Sequence, residues 1–471
     1  MRFRSKLANA ENLYTFDTVY LVPGRAEVEP SQVDLRTRLS TNVPLLVPVV
    51  SSPMDTVTEY EMAVALALNG AIGVIHRNMS VEEQVKQVER VKNHPPLRLR
   101  QVFLRPSDNC AYGLELLRNL AVRHLPVVSQ GGVNGYVEYS LLRSTCRTGF
   151  EPVAKATIRG QAYSLDMIED ARRHVVEGRA DSAAIVSRDG VYIGTLLLED
   201  ALAETSPLLD EDGRLRVAAA ISPFDAERAK KLDGLVDALV SDVAHFHNVN
   251  VLKAARKIAK EVSADFVAGN VGTYQAAVDA LSFIEKIDGF RVGIAGGSIC
   301  TTADVGGVYA PTLWAVASVR DALEEQGASE VPVIADGGIR SSGDAVKALA
   351  AGASSVMLGY VLAGTDEAAA QLIALGDSLY KPYRGMASRG AISKRFAADR
   401  YTRLVKKVAE GVEGLVPYKG PVTKVLSEFV EGIRAGLGYA GARSIKELWE
   451  KAVFGLAPRK TIPGELGTRQ P

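Results

Sequence analysis

Eight short apolar runs, separated by segments with helical spacing, constrain the fold of this chain more than any other feature. They begin with VPLLVPVVSS (43–52) and AIGVIHR (71–77) and resume beyond residue 210 with runs such as ADFVAGNV and VPVIADGG. Apolar runs without strict alternation are typical of parallel strands that are buried on both faces. Segments such as VNVLKAARKIAKE carry the spacing of amphipathic helices. Eight strand–helix units predict an α/β chain folded as a (β/α)8 TIM barrel, with a doubly wound sheet as the alternative.

A stretch of different character interrupts this pattern between the second and third runs. Residues 98–206 contain two similar halves, each with the order helix, strand, Gly-containing turn, strand and helix. An internal duplication of this size is typical of a paired module inserted at a loop. We therefore expect a first barrel segment at 1–97, a tandem α+β module at 98–206 and a second barrel segment at 207–471. For the Gly-, Arg- and Lys-rich part at about 380–420, both a mobile flap over the site and an ordinary surface excursion stay open.

Composition and charge exclude several classes of protein. Lys+Arg and Asp+Glu both number 55 in the 471 residues, so no bulk field attracts nucleic acid or an anionic membrane. The N-terminus lacks the apolar core of a signal peptide, and no apolar run approaches the roughly eighteen residues that span a bilayer. Cys110, Cys146 and Cys300 form an odd set without paired spacing, which argues against a disulfide framework and a zinc site. We expect a cytoplasmic protein without nucleic-acid or membrane partners.

Glycines cluster at the ends of three neighbouring predicted strands. Strand 6 runs into Gly296-Gly297-Ser298, strand 7 ends at Asp336-Gly337-Gly338, and strand 8 ends at Gly359-Tyr360. The carboxyl ends of the strands build the active site of a TIM barrel, and phosphate commonly binds after strands 7 and 8. Glycine lets backbone N–H groups approach an anion closely. The clusters therefore predict a site for a phosphorylated ligand.

Polar residues at other strand ends each allow two interpretations. Asp336 is either a turn residue or a carboxylate that accepts hydrogen bonds from a ribose diol. Ser52 and Met54 either lead into a helix, with Asp55 as its N-cap, or line a nucleobase pocket. The residue types do not decide between these alternatives.

Cys300 follows the glycine cluster in GIAGGSICTTADVGG (293–307). A free cysteine is most often a small buried residue. The alternative is a covalent nucleophile beside a bound phosphate. Asp242 and Asn270 end strands 4 and 5, so they lie where a barrel presents its substrate.

An ordered set of segments carries a resemblance over nearly the whole chain. The segments are LYTFDTVYLVPGRAEVEPSQVDL, VVSSPMDTVTE, GVIHRNMS, GSICTT, VIADGGIR, YRGMAS and EGVEGLVPYKG. Together they resemble the inosine-5′-monophosphate (IMP) dehydrogenase family, and the duplicated insert is similar to the pair of CBS modules that this family carries. The resemblance implies NAD-dependent oxidation of IMP to xanthosine 5′-monophosphate, the committed step of guanine nucleotide synthesis. In that reaction the Cys300 thiolate adds to carbon 2 of the hypoxanthine ring, hydride leaves for NAD⁺, and water hydrolyses the covalent intermediate.

The resemblance also implies a role for each matching position. The residues implied to hold phosphate, ribose or base are Ser52, Met54, Ser298, Asp336, Gly337, Gly338, Gly359, Tyr360, Tyr383, Gly385, Met386 and Glu410. Those implied near nicotinamide or its ribose are Asp242, Asn270 and Arg291.

Water chemistry and a cation site are implied in the same way. Arg400 and Tyr401 match a flap pair that activates water, and Thr302 matches a residue that positions it. The backbone carbonyls of Ala295, Gly297 and Cys300 would form part of a K⁺ site. The family further implies a homotetramer, with an octamer as the alternative, and an adenine or guanine nucleotide as ligand of the CBS module.

The sequence departs from the family pattern near the site. Ala295 and Gly296 replace a glycine and a proline, Ala303 replaces an arginine, and Val243 replaces a small hydroxyl residue. Tyr360 replaces a serine that contacts phosphate, and the C-terminal tail is atypical. Two alternatives therefore stay open. One is GMP reductase, which performs NADPH-dependent reductive deamination of GMP and lacks the Arg-Tyr flap pair; the other is a nucleotide sensor without turnover.

Overall fold

Eight short parallel strands close into a barrel, in a computed structural model that describes residues 3–202, 206–388, 390–391 and 411–457. The strands are β1 (Val49–Ser51), β2 (Val74–Ile75), β3 (Ala218–Ile221), β4 (Ala238–Ser241), β5 (Asp265–Val271), β6 (Gly289–Val292), β7 (Val333–Asp336) and β8 (Ser355–Leu358). Each pairs in parallel with its sequence neighbour, and β8 pairs with β1. A parallel bridge between Val50 and Ile72 joins β1 to the entry of β2 and closes the ring. The TIM-barrel prediction is confirmed, whereas the doubly wound alternative is wrong because an open sheet would leave two edges.

Both faces of the barrel strands are apolar, which explains the runs without alternation. Residues such as Val50, Ala220 and Val240 belong to one buried cluster inside the barrel. Their neighbours along the strands, such as Ala219 and Leu239, belong to the cluster that includes the surrounding helices. Each strand therefore contributes to two cores, as expected of a parallel sheet that is covered on both faces.

A helix follows each barrel strand. The helices are α1 (Tyr60–Leu68), α2 (Val81–Lys92), α3 (Ala226–Leu232), α4 (Val249–Glu261), α5 (Tyr274–Phe283), α6 (Thr312–Glu325), α7 (Ser342–Ala350) and α8 (Val422–Ala440). Several begin at a side chain that accepts a hydrogen bond from the first turn: Ser80, Asp225, Asn248, Thr273 and Ser341. Such caps satisfy backbone donors that the helix itself leaves unpaired.

Shorter elements complete the barrel unit. Its further helices are Phe3–Ala8, Thr302–Gly306 and Ile445–Lys451, with a 3-10 turn at Pro30–Gln32. Val19–Leu21 pairs antiparallel with Phe454–Leu456, and Thr37–Ser40 with Val43–Leu45. A three-stranded antiparallel sheet of Ile373–Leu375, Ser378–Arg384 and Glu413–Pro417 follows β8. None of the described helices combines the length and apolar character needed to cross a bilayer.

A second compact unit, Pro95–Pro207, separates the Met1–His94 and Leu208–Pro471 parts of the first. Its first half has the helices Cys110–Asn119 and Tyr139–Thr145, the strands His124–Ser129, Gly132–Glu138 and Thr157–Ile158, and the 3-10 turn Val153–Ala156. Its second half has the strands Tyr163–Ser164, Ser182–Val186 and Tyr192–Leu197, the 3-10 turn Leu165–Met167, and the helices Ile168–Val176 and Leu198–Leu202. Within each half, a helix, two antiparallel strands and a helix follow in the same order.

The prediction against a disulfide framework is wrong for one pair of cysteines. Cys110 and Cys146 are joined by a disulfide, with their Cα atoms 6.2 Å apart and a separation of 36 positions in sequence. Cys110 begins one helix, Cys146 caps the end of the next, and both belong to one buried cluster. Spacing along the chain did not reveal the pair because helix packing, which sequence spacing does not encode, brings the two thiols together.

We expect reduction of this disulfide to destabilise the Pro95–Pro207 unit by about 3 kcal/mol, because the cross-link limits the conformational entropy of the unfolded chain. Calorimetry with and without reductant measures the effect, and the double variant Cys110→Ser/Cys146→Ser should match the reduced protein. The matched control is Cys300→Ser, since Cys300 is the free cysteine. Titration of three thiols in unreduced, unfolded protein would contradict the pairing.

Candidate active site at the carboxyl ends of the barrel strands

Most of the site residues proposed from the sequence line one cleft at the carboxyl ends of the barrel strands. They are Ser52, Met54, Asn270, Arg291, Ala295, Gly297, Ser298, Cys300, Thr302, Asp336, Gly337, Gly338, Gly359, Tyr360, Tyr383, Gly385 and Met386. Asp242 is not part of the lining and is 1 % exposed. The proposed residues Arg400, Tyr401 and Glu410 lie outside the described part of the chain.

The cleft also contains residues that the sequence reasoning missed. Their side chains are mostly apolar: Pro53, Ala244, Ile294, Ile299, Ile339, Met357 and Ala387, together with Arg340. An apolar residue at a strand end looks like any core residue, so its type gives no signal. The only signal available was position, because strand ends surround the site of a TIM barrel.

Glycines let three loops approach too closely for side chains. Gly337 and Gly338 have φ angles of 102° and 78°, and a Cβ on Gly338 would lie 2.9 Å from the Gly296 carbonyl oxygen. A Cβ on Gly359 would lie 2.8 Å from the Tyr383 hydroxyl and 3.0 Å from the Met54 sulfur. The loops after β6 and β7 therefore meet each other, and the loop after β8 meets Tyr383 and Met54. Gly296, Gly337, Gly338 and Gly359 all line the cleft, and together they define the glycine-lined cradle.

Tyr383 supplies a buried hydroxyl at this cradle. It lies on the strand Ser378–Arg384, and its ring meets that of Tyr360 edge-on at 6.0 Å between centroids. Burial raises the pKa of Tyr383 to about 12, although a hydrogen bond with Ser298 acts in the opposite direction. The phenol is therefore protonated at neutral pH and can donate a hydrogen bond to an anion.

Cys300 is held at the cleft by backbone pairing and is not a core residue. It is partly exposed, and its backbone N–H donates to the Gly297 carbonyl at 3.0 Å. Cys300 forms an antiparallel bridge with Gly411. The thiol lies 3.2 Å from the Thr302 hydroxyl, to which it donates. The loop thus presents a sulfur atom in the same cleft as the cradle.

A chain of alternating charges runs from Asp336 and Arg291, which line the cleft, to the buried Asp242 and Arg77. Arg77 Nε donates to Asp242 Oδ2 at 3.2 Å, and Arg291 Nη1 donates to Asp242 Oδ1 at 3.1 Å. Arg291 Nε donates to Asp336 Oδ2 at 2.8 Å, and Asn270 Nδ2 reaches the same oxygen at 2.8 Å. Burial alone would lower the pKa of Arg291, but Asp336 and Asp242 raise it, so the guanidinium stays charged. The four charges compensate one another inside the barrel.

Asp336 keeps one carboxylate oxygen available to a ligand. Both hydrogen bonds to its carboxylate reach Oδ2, so Oδ1 has no hydrogen-bond partner among the described residues. Asp336 lines the cleft, and its side chain is 15 % exposed. Oδ1 can therefore accept a hydrogen bond from a hydroxyl group in the cleft.

Asp55 pairs with Arg384, so the alternative that makes it a helix N-cap is wrong. Helix α1 begins at Tyr60 with Glu59 as its N-cap. The buried Asp55 carboxylate accepts from Arg384 Nε at 3.0 Å and from Asn78 Nδ2 at 2.8 Å. Burial alone would raise the pKa of Asp55, but these hydrogen bonds bring it below its ordinary value. The pair ties the loop after β1 to the strand that carries Tyr383.

Ala295 adopts a left-handed backbone conformation, with φ of 63°. This is the position at which the resemblance expects glycine. A side chain with a Cβ costs roughly 1–2 kcal/mol in this conformation, whereas glycine adopts it freely. The departure at Ala295 therefore introduces backbone strain next to the cleft.

We expect Ala295→Gly to raise the free energy of unfolding by about 1 kcal/mol, because it relieves this strain. Denaturant unfolding measures the change. The matched control is Ala254→Gly inside α4, which should lower the same quantity by about 1 kcal/mol. If both substitutions lowered the free energy of unfolding equally, the conclusion that Ala295 is strained would be wrong.

Asp55→Asn should lower the free energy of unfolding by about 3 kcal/mol, since it leaves Arg384 without its buried partner. In the parent, the contribution of Asp55 to the free energy of unfolding is complete above pH 3.8, the ordinary pKa of its carboxyl group. This contribution is lost as the pH falls through the lower pKa that Asp55 has in the folded protein. The variant should therefore lose less stability than the parent on acidification, as measured by unfolding at a series of pH values. Glu285→Gln, which breaks the exposed pair with Arg256, serves as the control and should cost below about 1 kcal/mol.

Comparisons with known proteins give one consistent answer. Residues 13–462 match the family model described as IMP dehydrogenase / GMP reductase domain. An inosine-5′-monophosphate dehydrogenase from Korarchaeum cryptofilum is 46% identical, over 94% of this chain and 93% of that protein. One from Thermoplasma acidophilum is 41% identical, over 96% and 93%.

Solved structures point to the same family as the sequence relatives, although they are structures of a GMP reductase. A GMP reductase variant from Trypanosoma brucei, in complex with guanosine 5′-monophosphate, is 33% identical with a TM-score of 0.69 and 99% coverage of both chains. The same enzyme in a second structure has 31% identity and a TM-score of 0.75, covering 98% of this chain and 99% of that one. With the family model and both relatives spanning nearly its full length, the chain belongs to the IMP dehydrogenase / GMP reductase family.

Proposed function

We propose that this protein catalyses the NAD-dependent oxidation of IMP to xanthosine 5′-monophosphate, with Cys300 as the nucleophile. The observation that carries the proposal is the partly exposed Cys300 thiol in the same cleft as the glycine-lined cradle and the Asp336 carboxylate. The names of the two sequence relatives support the dehydrogenase reaction. The Arg400-Tyr401 pair in the sequence supports it over GMP reductase.

The nucleotide binds with its phosphate in the cradle. Backbone N–H groups at Gly337, Gly338 and Gly359 and the side chains of Ser298 and Tyr383 are the proposed phosphate donors. This binding mode is supported by the close approach of the loops after β6 and β7, by the position of Gly359 against the Tyr383 hydroxyl, and by the protonated state of that hydroxyl. Glycine-lined loops at the ends of β-strands offer an anion several N–H groups at once.

Ribose and base occupy the rest of the cleft. The Oδ1 atom of Asp336 accepts from the ribose hydroxyls, since its Oδ2 atom is already bonded to Arg291 and Asn270. The remaining substrate contacts proposed are Ser52, Met54, Tyr360, Gly385, Met386 and Glu410. Tyr360 presents a phenol where the family has a serine, and 39 % of its surface is exposed.

The reaction begins with the Cys300 thiolate, which adds to carbon 2 of the hypoxanthine ring. The ring carbon then loses its hydride, and water displaces the sulfur to give xanthosine 5′-monophosphate and the free thiol. Overall, IMP, NAD⁺ and water give xanthosine 5′-monophosphate, NADH and a proton. Covalent attachment turns an aromatic carbon into a hydride donor. Thr302 positions the water and the Arg400-Tyr401 pair activates it in this proposal.

NAD supplies the hydride acceptor when bound. Val243 and Ala244 give the cleft an apolar wall beside the Asn270 amide and the Arg291 guanidinium. An apolar surface with an adjacent amide and cation suits the nicotinamide ring and its ribose. Asp242 takes part through its ion pair with Arg291.

A K⁺ ion held by the carbonyls of Ala295, Gly297 and Cys300 is also proposed. No group of three His, Cys, Asp or Glu side chains in the described ranges can hold a metal ion, so the cation would depend on backbone oxygens. The Gly297 carbonyl already accepts the Cys300 N–H, and a carbonyl oxygen has a second lone pair for a cation.

The proposals for a regulatory module and for the oligomeric state follow from the family to which the chain belongs. The segment 98–206 is proposed as a tandem CBS module that binds an adenine or guanine nucleotide. The repeated order of helices and strands in this unit supports a duplicated module. A cytoplasmic homotetramer, with an octamer as the alternative, completes the proposal.

Incubation with IMP and NAD⁺ should produce NADH, and Cys300→Ala should lower the rate by more than about a thousandfold because the covalent step is lost. NADH absorbance measures the rate. Intact-mass analysis under turnover should find a purine adduct on the parent and none on the variant. Cys110→Ser/Cys146→Ser keeps Cys300 and is the control that should retain the adduct.

Absence of NADH both with and without K⁺ would overturn the dehydrogenase proposal. NADPH consumption with ammonia release from GMP would assign the protein to the reductase reaction instead. Nucleotide binding at Pro95–Pro207 without an adduct at Cys300 would identify a sensor.

A further inference from the structure

Arg77 is a buried charge to which the proposed reaction gives no role. It follows β2 in the GVIHRNMS segment and is 3 % exposed. It does not line the cleft. Its Nε atom donates to Asp242 Oδ2 at 3.2 Å, and its Nη2 atom donates to the Asp242 backbone carbonyl at 3.1 Å. Two contacts to one residue fix the guanidinium against Asp242.

We propose that Arg77 is a positioning residue for the ribose of the substrate, acting through Asp242, Arg291 and Asp336. The inference rests on the proposed function, because it takes Asp336 as the acceptor for the ribose hydroxyls. Arg77 touches neither substrate nor cofactor in this assignment. Its effect on the substrate ribose passes through the orientation of Asp336.

Arg291 is shared between two carboxylates. Its Nη1 atom lies 3.1 Å from Asp242 and its Nε atom 2.8 Å from Asp336. The guanidinium is rigid and planar, so a movement that improves one contact worsens the other. The position of Arg291 therefore depends on how strongly each carboxylate attracts it.

Arg77 weakens the attraction of Asp242 for Arg291. A cation 3.2 Å from Asp242 Oδ2 offsets part of the carboxylate charge, in an interior where Coulomb interactions are stronger than in water. Removal of that cation makes Asp242 attract Arg291 more strongly, away from Asp336. Asp336 then loses the bond from Arg291 Nε and keeps the one from Asn270, which alone does not fix the carboxylate plane.

The barrel geometry explains why these residues meet. Arg77, Asp242 and Arg291 come from β2, β4 and β6 or the residues directly after them. Alternate strands of a TIM barrel contribute one layer of inward-facing side chains. The layer nearest the cleft is therefore charged, and it transmits a change at β2 to Asp336 at the end of β7.

The test compares Arg77→Met and Arg77→Lys with the parent in the IMP and NAD⁺ assay. Arg77→Met should raise KM for IMP about tenfold, with kcat changed less than about threefold, since a charge-assisted contact to the ribose is misplaced. Arg77→Lys keeps the charge and should recover most of the affinity. Arg320→Met is the matched control, because Arg320 is also buried but lies away from the carboxyl ends of the strands. Its guanidinium donates to the carbonyls of Ser329 and Gly352, which precede the first residues of β7 and β8. It should lower stability without changing KM.

A substrate that lacks both ribose hydroxyls separates positioning from structural damage. The parent should bind 2′,3′-dideoxyinosine 5′-monophosphate more weakly than IMP, and Arg77→Met should add little further loss for this nucleotide. An equal loss for both nucleotides, or an unchanged KM for IMP, would overturn the inference. Equilibrium binding of the two nucleotides without NAD makes the same comparison independently of turnover. If the parent does not oxidise IMP, the proposed reaction fails, but this binding measurement still decides whether Arg77 positions the ribose contact.

Discussion

The parallel bridge between Val50 and Ile72 closes the barrel, and the cleft depends on that closure. In an open sheet the ends of β1 and β8 would lie far from those of β2. Strands β1, β8, β7 and β6 are neighbours in the sheet in any case, and closure brings the other side of the ring to face them. Ala244 after β4 and Asn270 on β5 therefore line the same cleft as Met54 after β1. The small, apolar strand residues make this possible, because both faces of every strand must be buried. Closure therefore brings strand ends from opposite sides of the ring into one candidate site.

Close approach of the loops is the second constraint, and it explains which residues the site tolerates. Gly338 and Gly359 leave no space for a Cβ atom, so their identity follows from packing as well as from any ligand. Ala295 shows the opposite case, since a residue with a Cβ occupies a left-handed conformation there. The backbone path around Cys300 is thus imposed by the neighbouring loops and not by local preference. Such strain persists only where the surrounding structure over-determines the conformation.

Sequence reasoning reached the barrel and most of the cleft for an identifiable reason. Strand ends carry the site in this fold, so locating the eight runs also located Asp336, Gly359 and Cys300. It failed where two residues distant in sequence meet through packing. The disulfide between Cys110 and Cys146 and the pairing of Asp55 with Arg384 both depend on the arrangement of elements, which residue spacing does not report.

Arg77 belongs to a layer of buried charges in this barrel, and the sequence did not show what this layer does. A buried ion pair is usually no more stabilising than well-packed apolar residues of similar volume, because desolvation offsets the Coulomb attraction. Stability alone therefore does not explain a layer built from Arg77, Asp242, Arg291 and Asp336 instead of leucine and valine. Fixed, alternating charges do achieve something that apolar packing does not, since hydrogen bonds hold each group in one orientation. The orientation matters most at the last member, Asp336, because its second oxygen faces the cleft. On this argument the charged layer is retained for the geometry of binding, and its cost in folding stability is met by the apolar layers beneath it.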